Sequence, residues 1–82
     1  MGWEYEVERA IRDMLCACEI PVDSVSVSVL SDEDGSIEFL AESYHDFNFA
    51  GTDYTLITEI AGEYTEFGEV FLDLQNVRLK RR

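Results

Sequence analysis

The chain has 82 residues, and eighteen acids against six bases leave it a formal net charge of −12. At that length about 60% of the unfolded surface is buried, enough for one small core, so a single domain over residues 1–82 is expected. An apolar content of 46% with 12% aromatic residues excludes a disordered acidic tail, no apolar run approaches the roughly 18 residues of a membrane-spanning helix, and the charge excludes direct binding of nucleic acid, whose phosphates would meet mostly carboxylates.

The segment Trp3 to Glu19 opens the chain with apolar residues at Trp3, Val7, Ala10, Ile11, Met14 and Cys18, with Leu15 beside them. Spacings of three and four predict one buried helical stripe. Glu8 with Arg12 and Arg9 with Asp13 stand four apart, where opposite charges support a helix by a few tenths of a kcal/mol. Pro21 ends the helix, because the residue before a proline is pushed out of helical geometry. Cys16 and Cys18 are two apart on this helix and point in different directions, so they are expected as reduced thiols in a cytoplasmic protein.

Strict alternation in DSVSVSVL, residues 23–30, predicts a strand with Val25, Val27 and Val29 on the core and Ser24, Ser26 and Ser28 in water. SDEDGS reads as a turn, and SIEFLAES as a second strand with Ile37, Phe39 and Ala41 on one side and Glu38 and Glu42 on the other. The two form an antiparallel hairpin. From Tyr44 to Gly62 one or two strands follow, with Gly51 and Thr52 as a bulge or a turn. EYTEFGE reads as a loop, and EVFLDLQNVRLKRR as a last strand with Val70, Leu72 and Leu74 on one face. Val77 and Leu79 continue in the opposite phase, which predicts a bulge near Gln75 and Asn76. The whole is an α+β domain, one N-terminal helix packed on an antiparallel sheet of about four strands.

Few motifs suggest chemistry. SDEDGSIEFLAE resembles part of a calcium loop, since placing Gly35 at the sixth position puts Asp32, Asp34 and Glu38 at the third, fifth and ninth. The first and twelfth positions are then Leu30 and Ala41, which lack carboxylates, and the flanks alternate with period two instead of forming helices. A hairpin with an acidic tip is expected, with no metal and no cofactor. His45, the one histidine, has no nominated nucleophile or acid to work with and is expected to be solvated or structural. Paired carboxylates suited to glycoside chemistry need a cleft for which a sheet this small leaves little room, so no enzyme is expected. The closing LKRR is expected as a solvated tail, or as a segment that curls onto the acidic surface.

The charge layout carries the functional expectation. From Asp13 through Val77 there is neither lysine nor arginine, while fifteen of the eighteen acids fall in that interval. Alternate residues of a strand lie about 7 Å apart on one face, and DNA presents a phosphate about every 3.4 Å along each strand. Carboxylates arrayed on that scale imitate a phosphate backbone and fit the basic groove of a nucleic-acid-binding protein. The residues expected to make that contact are Asp32, Glu33, Asp34, Glu38, Glu42, Asp46, Asp53, Glu59, Glu63, Glu66, Glu69 and Asp73, with Tyr44, Tyr64, Phe67 and Phe71 as aromatic anchors.

In size and composition the chain resembles the small acidic inhibitors encoded by phages and mobile elements, among them DNA-mimic proteins, anti-CRISPR proteins and the uracil-DNA glycosylase inhibitor. The resemblance covers whole-chain character and no aligned motif, so it carries over no site. It implies an inhibitor of a CRISPR effector or DNA enzyme, acting in the cytoplasm of a bacterial host as a monomer or homodimer. Two other readings fit the same charge: an immunity or antitoxin protein blocking a nuclease toxin, and a halophile-type acidic domain without a dedicated partner.

Overall fold

The computed structural model describes residues 2–82. One helix, α1 (Trp3–Ala17), precedes four strands, β1 (Ser24–Glu33), β2 (Ser36–Phe49), β3 (Thr52–Tyr64) and β4 (Val70–Arg81). The strands form an antiparallel meander in the order β1-β2-β3-β4, so the expected α+β fold is the one observed.

Helix α1 buries Val7, Ile11 and Leu15, one side of the expected stripe. Glu4 and Glu6 in its first turn complement the helix dipole. At its other end Glu19 takes a left-handed φ of 61°. The Glu19 N–H donates to the Cys16 carbonyl and the Ile20 N–H to the Leu15 carbonyl, a Schellman closure that turns the chain before Pro21 is reached. The helix therefore stops two residues earlier than expected, and Cys18 becomes its exposed cap rather than part of the stripe. Arg12 pairs with Glu8 at 3.1 Å. Arg9 and Asp13 form no such pair; their order runs against the dipole, the weaker orientation for a pair four apart.

Two turns of two residues each set the register. Asp34 and Gly35 have φ of 54° and 78°, and Ala50 and Gly51 have 54° and 82°, the paired left-handed conformations of the turns that suit the twist of a hairpin. The first confirms a tight hairpin in SDEDGS, although Ser31 to Glu33 belong to β1 rather than to the turn. The second resolves Gly51 as part of a turn, so β2 runs unbroken from Ser36 to Phe49.

Two bulges adjust the pleat. On β4, Glu59 faces Asn76 and Ile60 faces Leu74, leaving Gln75 as the extra residue where the phase change predicted it. On β1 an unexpected bulge at Leu30 separates Val29 from Ser31. Beside it on the sheet edge Val29 remains 50% exposed, not in the core as expected.

The pleat and register give the sheet an inner face toward α1 and an outer face toward solvent. The core lies on the inner face: Val7, Ile11 and Leu15 against Phe39, Ala41 and Ile60, with Trp3 stacked on Phe39 at 6.4 Å. A 15-residue helix is about 22 Å long, whereas the 14 residues of β2 reach about 45 Å. The molecule is accordingly elongated, 49 × 21 × 21 Å. Helix α1 packs on Phe39, Ala41 and Ile60, and burial of the inner face extends as far as Ser43 and Thr58. The distal end, formed by the β2–β3 turn and the C-terminus, carries no helix. No helix among the described residues is long and apolar enough to cross a membrane.

Candidate functional site

Cross-strand register assembles the outer face row by row. Glu33 pairs with Ser36 nearest the proximal end, and in the next row Ser31, Glu38, Glu63 and Phe71 lie side by side across the four strands. The next rows run Ser28, Leu40, Ala61, Asp73, then Ser26, Glu42, Glu59, Asn76. Beyond them Tyr44 and Ile57 lead to Arg78, and Asp46 and Thr55 to Lys80. Eight of the twelve carboxylates singled out by sequence, Glu33, Glu38, Glu42, Asp46, Asp53, Glu59, Glu63 and Asp73, therefore share this face.

The other four gather at the proximal tip. Asp34 is in the first turn and Asp32 beside it, while Glu66 and Glu69 are on the β3–β4 loop. Turn and loop touch: a Cβ placed on Gly35 would lie 3.0 Å from the Cβ of Glu66. The loop is closed by Thr65, whose hydroxyl accepts from the N–H of Glu69 at 3.1 Å and whose N–H donates to the Glu69 carbonyl.

The bases do not form a tail. Leu79 to Arg81 continue β4, and the Arg82 N–H donates to the Asp53 carbonyl at 3.0 Å, which bears out a last strand through LKRR and corrects the alternative of a solvated tail. Because Gln75 is bulged, Arg78 and Lys80 emerge on the outer face instead of the inner one. Arg78 stands 3.7 Å from Glu42 and 3.6 Å from Glu59. Arg82 stands 3.9 Å from Asp46 and 4.0 Å from Asp53. The uniform field of unpaired carboxylates expected from sequence is thus split. Four of the acids are bridged by the chain's own arginines, and the remaining eight, all toward the proximal end, make no ion pair among the described residues.

Aromatic residues flank that unpaired group unequally. Phe67, 82% exposed, and Phe71, 56% exposed, border it. Tyr44 lies on the outer face with its hydroxyl donated to Glu42, and that bond raises its pKa above the ordinary phenol value. Tyr64 is on the inner face, where its hydroxyl binds Glu6 of α1 and its pKa is likewise raised. It ties helix to sheet and is not the surface anchor expected. Between the acidic rows the outer face is dished, a depression of about 340 Å³ lined by Ser26, Ser28, Leu40, Glu42 and Glu59.

His45 links β2 to the segment that leads into β1. Its Nδ1 lies 3.1 Å from the Asp23 carboxylate, and its ring stacks on Phe47. The Asp23 carboxylate also accepts from the Asp46 N–H at 2.8 Å. That backbone bond, followed by the one to His45, holds Asp23 below the usual carboxylate value. Sequence reading missed this link, whereas terminal bases lying over the acidic surface were one of its two expectations for the closing segment, and Arg78 and Arg82 do so. The phase change at Gln75 was the available signal for the face that Arg78 takes. No protein family, curated protein or solved structure matches the chain.

Proposed function

We propose that the chain is an acidic interaction protein that inhibits a nucleic-acid-binding protein by occupying its cationic groove in place of phosphates. The observation that carries this reading is the proximal carboxylate group: Glu38 directly opposite Glu63, Glu33 and Asp73 on the same face, and Asp32, Asp34, Glu66 and Glu69 at the tip, none with a base within 4 Å. Like charges directly opposite across strands cost stability. A partner that supplies lysine or arginine removes that cost on binding, and the repulsion becomes part of the driving force.

Phe67 and Phe71 give the same surface two exposed anchors, which suits an interface that mixes electrostatic steering with desolvated aromatic contact. The reading is of binding, not catalysis. The distal acids, already bridged by Arg78 and Arg82, are peripheral to it. A nuclease toxin blocked at its basic cleft is one member of the proposed partner class, and a CRISPR effector or DNA enzyme is another.

Immobilised protein tests this directly against a bacterial lysate at low salt. A basic nucleic-acid-binding protein is expected to be retained and then displaced by added duplex DNA or RNA. Retention of no basic protein, combined with a fold that melts out at low salt and recovers only near molar salt, would identify a halophile-type surface instead.

A further inference from the structure

Across the middle of the outer face the rows alternate in character. Leu40 and Ala61 form the centre of one row, and the rows on either side of it set Glu38 opposite Glu63 and Glu42 opposite Glu59. Leu40 is 45% exposed, and Phe71, in the Glu63 row, is 56% exposed. The hollow of about 340 Å³ lies here, and its lining runs from Ser26 and Ser28 on β1 to Gln75 on β4. It therefore crosses all four strands as a trough instead of following one.

Resting on the inhibitory reading proposed above, we infer that this trough seats a basic amphipathic helix of the partner. The helix lies across the strands, with its apolar ridge on Leu40 and Ala61 and its lysines or arginines on the acidic rows to either side. Three features select that occupant. The first is the pattern of charge. A groove lined by lysine and arginine alone would leave Leu40 and Phe71 against a polar wall. The face instead calls for an apolar ridge with bases on both flanks, which is the layout of a basic amphipathic helix. An extended strand presents alternate residues to one side in single file and has no such flanks.

The second feature is dimension. Neighbouring rows on one face are about 7 Å apart, and a helix with its side chains has a radius of about 5–6 Å. Bases on the two sides of the ridge thus reach Glu38 and Glu63 on one flank and Glu42 and Glu59 on the other. Three gaps of about 4.8 Å between four strands make the trough about 14 Å long, room for two to three helical turns. The third is a precedent within the chain. Arg78 already places a guanidinium 3.7 Å from Glu42 and 3.6 Å from Glu59. It reaches them from the row beyond, opposite Ile57, and does not line the hollow. A partner's base at Glu38 and Glu63 repeats that contact on the pair the chain leaves without one.

Two lysine–leucine peptides of identical composition, about 15 residues long, serve as probes. One has its leucines at helical spacing and one alternates, and an oligolysine of the same charge accompanies them in calorimetric titration of the full chain. The helical peptide is expected to bind at least about tenfold more tightly than either of the others, and Leu40→Ser to remove that advantage. Leu40 is nearly half exposed, so unchanged far-ultraviolet circular dichroism will show that the variant folds. Leu79→Ser, on the opposite face, is expected to change nothing. Equal affinity for the three probes, an advantage that survives Leu40→Ser, or one lost in Leu79→Ser instead, would overturn the inference. A nucleic-acid-binding protein captured equally well by the parent and by Leu40→Ser would also overturn it, while leaving the inhibitory reading in place. A Leu40-dependent preference for the helical peptide without capture of any such protein would uphold the seat for a helix and count against the inhibitory reading alone.

Discussion

Glu38 and Glu63 face each other across β2 and β3 with no base in reach, whereas one rung of charge further along Glu42 and Glu59 face each other under Arg78. The same repulsive pairing occurs twice on one face, and the chain relieves only one of them. Replacing Glu63 with lysine converts the unrelieved pair into an attractive one and is expected to stabilise the fold by about 0.5–1 kcal/mol in urea denaturation. The gain should shrink at molar salt, where the repulsion is already screened.

Arg78→Ala exposes the second pair. The arginine is half exposed, so its two contacts together contribute at most about 1 kcal/mol. Loss of that amount is expected at low salt, with little difference between variant and parent in 1 M salt. Equal destabilisation at both ionic strengths would show that Arg78 acts through packing of its stem.

Gly62 tests the covered end of the sheet. It pairs with Phe39, and a Cβ at this position would lie 2.4 Å from the Phe39 ring and 2.7 Å from the Phe71 carbonyl. Neither the ring, held under Trp3 in the core, nor the backbone of β4 has room to retreat. Gly62→Ala should destabilise by about 1–3 kcal/mol despite the better strand propensity of alanine, readable as a lower denaturation midpoint with an unchanged slope.

Two hydrogen-bonded groups shape the pH dependence in opposite directions. The pKa of Asp23 is lowered in the folded chain, first by the Asp46 N–H and then by His45. Its contribution is therefore complete above the unfolded value of 3.8 and is lost as pH falls through the folded value. Asp23→Asn should be less stable than the parent near neutral pH, with the difference closing as the solution is acidified past that point. The pKa of Tyr64 is raised by its bond to Glu6, so that contribution is complete below 10.0 and is lost as pH rises through the folded value. Tyr64→Phe should flatten the alkaline end of the stability curve, measured by thermal melting across pH.

Much of this architecture is legible in the chain. Spacings of three and four mark α1, the Ser-Val alternation marks β1, and the phase change between Leu74 and Val77 marks the bulge at Gln75. The placement of the acids is less legible, because it depends on register. Only the two-residue turn at Ala50–Gly51 puts Glu38 opposite Glu63, and that segment reads equally well as a bulge. The role of the C-terminal bases is hidden for a related reason. The alternation runs a strand into LKRR, but which acids its bases meet depends on the pairing with β3. The uncovered distal face follows from comparing rise per residue in a helix and a strand, a length argument that periodicity alone does not make.

The central claim is that the unpaired proximal carboxylates are the inhibitory surface. The most direct measurement compares the parent with a variant carrying Glu38→Lys, Glu63→Lys and Asp73→Lys for capture of a basic nucleic-acid-binding protein and its displacement by nucleic acid. If the account is right, the parent captures such a protein with an affinity that falls steeply with salt, and the correctly folded variant does not. A variant that captures the same protein equally well, with the same salt dependence, would contradict it.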